Sequence, residues 1–321
     1  QLLEDREFPI QDVRFLASAR SAGTELEFRG KSITVQELKR AAFDDIDLCI
    51  ASTPDEVSQE FVPYAVERGA VVVDESAAWR MDPKVPLIVP EVNPDAIEGF
   101  TRKNIIANPN CSTAQLVVAL KPLHEAAQIK RIVVSTYQSV SGAGKEGMDE
   151  LFEQSRAVFV ADPVEKKKFT KRIAFNVIPH IDVFMDDGST KEEWKIVAET
   201  RKILDPDIAL TATCVRVPVF IGHAEAVNVE FDGDVNEDEI RDALKSAPGI
   251  VVVDHRADEG YVTPAECAGE DPVFVSRIRK DPTVEHGINM WVVADNLRKG
   301  AALNTVQIAE ALIKTYMKKA A

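Results

Sequence analysis

The chain has 321 residues, room for one large or two ordinary domains, and 45% of them are apolar, so a normal globular core is available. A formal net charge of −15 argues against a nucleic-acid binder, which needs clustered Lys and Arg, and an anionic substrate then requires a locally basic site inside an acidic molecule. No apolar run approaches the ~20 residues of a membrane-spanning helix, and the balance fits a soluble cytoplasmic protein.

The chain opens on "QLLEDREFPIQDV", an amphipathic helical pattern with Leu2 and Leu3 apolar and no cap ahead of them. Short apolar strands then alternate with helical stretches. Strands are expected at residues 13–18, 45–52, 70–76 and 104–109, with a helix after the second of them that ends at Gly69. Continuous apolar strands between helices indicate a parallel sheet covered on both faces, a Rossmann-like doubly wound α/β domain. Near residue 130 the pattern changes. "RIVVSTYQSV", "ATCVRVPVF", "AVNVEFD", "VFVSRIRKD" and "INMWVVADN" alternate as half-buried strands do. That indicates an α+β domain with a mostly antiparallel sheet. Residues 144–159 and 189–204 read as its helices. The last segment is amphipathic, with Ala309, Leu312 and Ile313 on one face, and is expected to pack back on the first domain. The domains are therefore read as 1–112 with 300–321, and 113–299. The basic run "EKKKFTKR" (165–172) reads as solvated surface.

Four scattered cysteines, Cys49, Cys111, Cys214 and Cys267, lack metal-ligand spacing and read as reduced thiols; no metal is expected. Cys49 and Cys214 lie in apolar strands. Cys267 is in a polar loop with no nearby partner. Cys111 differs, because "NPNCSTAQ" puts it behind a turn signal and ahead of a helix that Ser112 or Thr113 can cap. Unpaired N–H groups and the positive dipole end there favour a thiolate and can hold an oxyanion. Pro122 is expected to kink or end that helix.

A nucleophilic thiol needs an acid/base group. His223 follows Gly222, and Arg216 lies seven positions before it. On a straight strand an odd separation points two side chains to opposite faces. Pro218 and Gly222 could supply the bend that lets both face one cavity. In "STKEEWK" a capping box forms from Ser189 with Glu192 or from Thr190 with Glu193, and Glu192 shares a helix face with Lys195.

Taken together, "VVDESAAWRMDPKVPLIVPEVN", "IIANPNCSTAQ", "VVSTYQSVSGAG", "EEWKIVAETRKIL", "VRVPVFIGHAEAV" and "DNLRKGAALN", in this order, resemble the aspartate-β-semialdehyde dehydrogenases through nearly the whole chain. The resemblance implies NADPH-dependent reductive dephosphorylation of L-aspartyl-4-phosphate to the semialdehyde, in the biosynthesis of lysine, threonine, methionine and diaminopimelate. Cys111 would be the nucleophile that forms a thioester, His223 the general acid/base, and Gln138 the group that orients the substrate. Arg216 would bind the α-carboxylate and Glu192 the α-amino group, while Arg80, Asn110 and Lys195 would hold phosphate. The resemblance also implies a homodimer paired through the second domain's sheet.

The strand at 13–18 ends in Ser18, Ala19, Arg20 and Ser21, with no carboxylate for a ribose hydroxyl. Arg20 with Ser21 could bind a 2′-phosphate, so NADP is the expected cofactor. Ser141, Gly142 and Asn296 would approach its nicotinamide end. The family pattern starts with a strand and a glycine-rich turn that cradles the pyrophosphate on a helix N-terminus. This sequence starts in the helix after it, and a preceding stretch is expected. The alternatives are N-acetyl-glutamyl-phosphate reductase, whose acylated amine would not want Glu192 beside it, and a catalytically silent binding or redox module.

Overall fold

The computed structural model describes residues 1–316. The described residues divide into two compact units: Gln1–Pro90, Pro94–Asn108 and residues 302–316 form one, and Glu91–Asn93 with Pro109–Ala301 form the other.

The first unit opens with the one-turn helix α1 (Leu2–Asp5), whose two leucines pack on an apolar core. Next come β1 (Leu16–Ala17), β2 (Glu25–Phe28), β3 (Lys31–Thr34), β4 (Gln36–Glu37), β5 (Leu48–Ala51), α2 (Asp55–Glu67), β6 (Val71–Asp74) and β7 (Ile105–Ala107). The last three strands form a parallel sheet in the order β5-β6-β7. β6 reads Val-Val-Val-Asp and is buried along its whole length, as a parallel strand covered on both faces should be. The C-terminal helix, Leu303–Thr315, sets Val306, Ile308, Ala309 and Leu312 against Val71, Val73 and Ile106. Each such fully buried aliphatic side chain contributes roughly 1.5–3 kcal/mol of transfer free energy.

The strand expected at 13–18 takes a different place. Only Leu16 and Ala17 pair, in parallel with Gln36 and Glu37, in a two-stranded ladder separate from β5-β6-β7. Apolar residues there are half-buried, and an apolar run cannot name its own partner strand. The sequence reading passed over the β2–β3 hairpin. Its turn residues Arg29 and Gly30 have φ of 48° and 70°, so both adopt the left-handed conformation of a type I′ turn. Arg-Gly lacks the Asn-Gly signature by which such turns are usually found.

In the second unit α3 (Cys111–Ala126) is buried continuously from Ser112 to Leu120, which explains its nearly all-apolar middle. It runs past Pro122 to Ala126, so of the two expected outcomes, a kink or an end, the proline does not end it. A proline removes one helix hydrogen bond, and here burial outweighs that loss. Then follow β8 (Ile129–Gln138), α4 (Gly144–Phe159), α5 (Lys191–Ile203), β9 (Ala209–Arg216), β10 (His223–Phe231), α6 (Glu237–Ser246), β11 (Ile250–Val252), α7 (Pro264–Cys267), β12 (Val273–Lys280) and β13 (Gly287–Ala294). The six-stranded sheet has the order β11-β12-β13-β10-β8-β9. Its three central pairings are antiparallel and its two outer ones parallel, so it is mostly antiparallel. Cys267 is not in a polar loop. It closes α7, is fully buried, and its Sγ lies 3.4 Å from the Pro264 carbonyl oxygen. No helix among the described residues is long and apolar enough to cross a membrane.

Candidate active site

Cys111 is the first residue of α3 and is half-buried. The cap is Asn110, in place of the expected Ser112 or Thr113. Its Oδ1 accepts hydrogen bonds from the N–H groups of Ser112 (3.0 Å) and Thr113 (3.3 Å). An Asn at this position has the short acceptor that a helix start favours. The Asn110 backbone N–H donates to Glu199 at 2.6 Å and its Nδ2 donates to Glu192 at 2.9 Å. Asn110, immediately before the cysteine, is thus held by two carboxylates of α5. Gly300 packs against it so closely that a Cβ added there would lie 2.6 Å from the Cys111 Cβ. Gly300 and Glu199 were not singled out from sequence; "NLRKGAA" carried the first only as part of a motif.

Arg216 and His223 meet by a route the strand-parity argument did not contain. Arg216 ends β9 and His223 starts β10, two strands that lie on opposite sides of β8. Residues 217–222 cross the end of β8, and Gly222 takes φ of +95° immediately before His223. Arg216 pairs directly with Gln138, while Tyr137 pairs with Ala224, so Gln138 stands between the two. A Cβ built on Gly142 would meet Arg216 Nη1 at 3.0 Å and His223 Nε2 at 3.2 Å, so both groups face the same small space. Burial pulls the Arg216 guanidinium below its ordinary value, opposed by Glu192 and Cys111, which places the sulfur within electrostatic reach. The guanidinium remains charged at any physiological pH.

The capping ambiguity resolves cleanly. Thr190 and Glu193 form the box, with Thr190 N–H donating to Glu193 at 2.8 Å and Glu193 N–H donating to Thr190 Oγ1 at 3.3 Å. Glu192 is freed and turns inward, where it is buried. Gln138 Nε2 donates to its Oε1 at 3.0 Å and Lys195 Nζ to its Oε2 at 3.3 Å. Burial alone would raise this carboxyl; Lys195, Asn110, Gln138 and Arg216 together overcome that and hold it below its ordinary value. Lys195 also donates to Asp182 at 2.7 Å, and these carboxylates outweigh its burial and raise its pKa.

A second buried carboxyl, Glu225, lies two residues beyond His223 on the same strand face. Neither of its oxygens has a hydrogen bond of normal geometry among the described residues, and burial, opposed only by the nearby Gln115 amide, pushes its pKa well above the ordinary carboxyl value. Ser141 and Asn296 are buried and bonded to each other, Asn296 Nδ2 donating to Ser141 Oγ at 2.9 Å.

Arg80, Arg20 and Ser21 belong to the other compact unit. Arg80 is buried and donates to the carbonyls of Asn108 (2.9 Å) and Glu75 (2.8 Å). Arg20 is exposed and Ser21 half-buried, in the turn after β1. The hydroxyl of Thr53, just past the carboxyl end of β5, is buried without a partner among the described residues. Open α/β sheets bind nucleotides at that end of their strands, so a dinucleotide fits the polar groups present.

Comparison with known proteins gives the family. Residues 1–100 match the model of the semialdehyde dehydrogenase NAD binding domain, and residues 120–299 that of the semialdehyde dehydrogenase dimerisation domain. The aspartate-semialdehyde dehydrogenase of Aquifex aeolicus is 51% identical over 317 residues, 98% of this chain and 93% of that one. A crystal structure of aspartate semialdehyde dehydrogenase II from Vibrio cholerae, complexed with ASA, is 48% identical with a TM-score of 0.96, covering 98% of this chain and 94% of that one. A crystal structure of the Candida albicans enzyme with NADP is 26% identical with a TM-score of 0.71, covering 94% and 90%. The two domain matches define an oxidoreductase of the semialdehyde dehydrogenase class. The chain belongs to the aspartate-semialdehyde dehydrogenase family, which serves amino-acid biosynthesis.

Proposed function

We propose that the protein carries out NADPH-dependent reductive dephosphorylation of L-aspartyl-4-phosphate to L-aspartate-4-semialdehyde through a thioester on Cys111, feeding lysine, threonine, methionine and diaminopimelate synthesis. The observation that carries this reading is the pair of opposite charges kept apart in one buried site: the Arg216 guanidinium and the Glu192 carboxylate. A free amino acid presents both complementary charges. Arg216 takes the α-carboxylate through its planar fork, and Glu192 takes the α-ammonium. The rival acetylated glutamyl substrate has a neutral amide at that point and would leave Glu192 with only Lys195, Asn110 and Gln138 as partners, gaining nothing from its charge.

Cys111 attacks the activated acyl carbon and phosphate departs, so one difficult reduction becomes two easier steps. Gln138, fixed by donating to Glu192 and accepting from Thr136 Oγ1 at 3.1 Å, orients the substrate beside the sulfur. His223 serves the acid–base needs of the carbonyl. Asn110, Lys195 and Arg80 hold the phosphate. The nicotinamide, when bound, supplies hydride. Arg20 and Ser21 bind the 2′-phosphate of NADP, a choice supported by the absence of a carboxylate at that turn and by the NADP-bound Candida albicans relative. Ser141, Gly142 and Asn296 border the nicotinamide end.

The protein acts as a homodimer. The domain match over 120–299 supports this, as do Tyr137 and Trp291, whose rings lie 5.4 Å apart on the sheet face opposite Gln138, with Tyr137 38% exposed. A single monomeric species at micromolar concentration in sedimentation would contradict the dimer. For the chemistry, Cys111→Ser or Cys111→Ala with cofactor affinity intact is expected to abolish turnover. Retained reductive turnover would remove the mechanism. Assay of both semialdehydes with NADP and phosphate separates the rivals, and activity on the acetylated one alone would overturn the substrate.

A further inference from the structure

Lys195 is shared between two carboxylates, and the division is uneven. Its Nζ donates to Asp182 Oδ2 at 2.7 Å and to Glu192 Oε2 at 3.3 Å. Glu192 and Lys195 are three apart on α5, a spacing at which a helix brings such a pair together unaided. Their side chains are only 8% and 15% exposed, which strengthens the attraction between them. The ammonium nevertheless sits closer to Asp182.

The sequence setting of Asp182 does not mark it, but the fold builds it into this place. It lies in the loop between α4 and α5 with φ of +69°, a left-handed conformation that Asp and Asn tolerate better than other residues with side chains. Its Oδ1 accepts from the Val183 N–H at 2.9 Å, which leaves Oδ2 for Lys195. On one side of it, Ile178 exchanges both backbone hydrogen bonds with Arg216, at 2.9 and 2.8 Å. On the other, the Lys191 N–H donates to the Val183 carbonyl at 2.8 Å. The loop is thereby tied to the end of β9 and to the start of α5, the elements that carry Arg216 and Glu192. Burial alone would raise the Asp182 carboxyl; Lys195, the Val183 N–H and Lys191 overcome that and hold it below its ordinary value, so it is ionised at neutral pH.

We propose that Asp182 is a positioning residue that draws the Lys195 ammonium off Glu192 and so keeps Glu192 open to the α-ammonium of the substrate. This rests on Glu192 being the amine partner. Glu192 Oε1 already accepts from Asn110 at 2.9 Å and from Gln138 at 3.0 Å, so Oε2 is the oxygen left for a ligand. With Lys195 closed on Oε2, the helix pair would neutralise itself, and an incoming ammonium would have to displace it. With Asp182 in place, one cation stands between two carboxylates. The group keeps one negative charge to offer, while Arg216 nearby keeps a positive charge for the α-carboxylate. The two ends of a zwitterion are then matched at once.

Asp182→Asn tests this with side-chain shape and backbone conformation preserved. KM for aspartate semialdehyde, measured in the phosphorylating direction at saturating NADP and phosphate, is expected to rise about tenfold with kcat changed less than about threefold, the lower end of what losing a hydrogen bond to a charged group costs. The same substitution in a Glu192→Gln background is expected to leave KM where Glu192→Gln alone puts it. A merely structural defect would raise KM by the same factor in both backgrounds. That result, or an unchanged KM in Asp182→Asn alone, would overturn the proposal. A crystal structure of Asp182→Asn reads the cause without turnover: Lys195 Nζ is expected at about 2.8 Å from Glu192 Oε2, the usual length of a charge-assisted bond. An ammonium still held off Glu192 in that variant would equally sink the idea. Should Glu192→Gln by itself leave KM unchanged, the amine assignment falls instead, and the position of Lys195 in the variant still decides whether Asp182 holds it away.

Discussion

Gly300→Ala tests whether backbone packing sets the position of the Cys111 sulfur. Gly300 lies in the wide turn Arg298–Ala302, whose π-type hydrogen bonding is a geometry frequent at functional sites. The added methyl would meet the Cys111 Cβ at 2.6 Å, its Cα at 3.0 Å and its carbonyl oxygen at 3.3 Å. Ordinary contact begins near 3.4 Å, so one side must yield by close to 1 Å. Neither side yields easily. Lys299 is almost fully buried and pairs with Glu91 at 2.5 Å, while Asn110 is held by Glu192 and Glu199. Overpacking of this kind destabilises by about 1–3 kcal/mol. Displacing a reacting atom by ~1 Å lowers the rate about 10²-fold. Urea unfolding and steady-state kinetics on the variant should therefore show a lower midpoint and a kcat reduced ~30- to 100-fold. Gly233→Ala is the control, because a Cβ there meets nothing within 4 Å. Gly300→Ala with kcat within about threefold of the parent and an unchanged midpoint would refute the reasoning.

Three further outcomes are expected. Iodoacetamide at pH 7.5 should label Cys111 alone, since burial pushes the Cys49 thiol up to about 11 and Cys267 up to about 12, and raises Cys214 further; comparable labelling of Cys49 in a peptide map would contradict this. Glu192→Gln removes the ammonium partner and should raise KM for the semialdehyde ~10- to 100-fold in the phosphorylating direction, because hydrogen bonds to charged groups contribute about 1.5–3 kcal/mol; an unchanged KM would remove Glu192 from substrate binding. Glu225 holds a proton in the fold that unfolding releases above its ordinary value of 4.5, so its contribution is full below pH 4.5 and is lost as pH rises toward the folded-state value, by about 1.4 kcal/mol per unit. Glu225→Gln should then gain stability over the parent as pH rises from 5, and parallel stability curves in urea would show that the carboxyl is ionised in the fold.

Much of this architecture was legible because its signals are local. Val-Val-Val-Asp at 71–74 reads as a fully buried strand, and "NPNC" reads as a helix start. The choice of cap was not legible, because Asn110, Ser112 and Thr113 are all competent acceptors and only the chain path selects Asn110. Pairing was not legible either. The run 13–18 is apolar enough for a strand, yet its ladder forms with Gln36 and Glu37. The meeting of Arg216 and His223 was expected from a bend, but the operative device is a crossover that puts them on opposite sides of β8, a relation that strand parity within one segment cannot express.

The two buried glutamates show why site chemistry depends on partners more than on residue type. Glu192 and Glu225 both lie in the interior of the second unit, and burial works to neutralise each. Glu192 ends as a carboxylate because Asn110, Gln138 and Lys195 donate to it and Arg216 stands near. Glu225 has only a weakly placed Gln115 amide to set against its burial, and its pKa stays well above the ordinary carboxyl value. All four supporters of Glu192 come from different elements: the start of α3, the end of β8, α5 itself and the end of β9. Removing any one should shift Glu192 toward the neutral acid, so loss of substrate affinity in Asn110→Ala or Gln138→Ala would have two parts. One part is the lost contact itself. The other is a weaker negative charge at Glu192, and it is separable because it alone should recover as pH is raised.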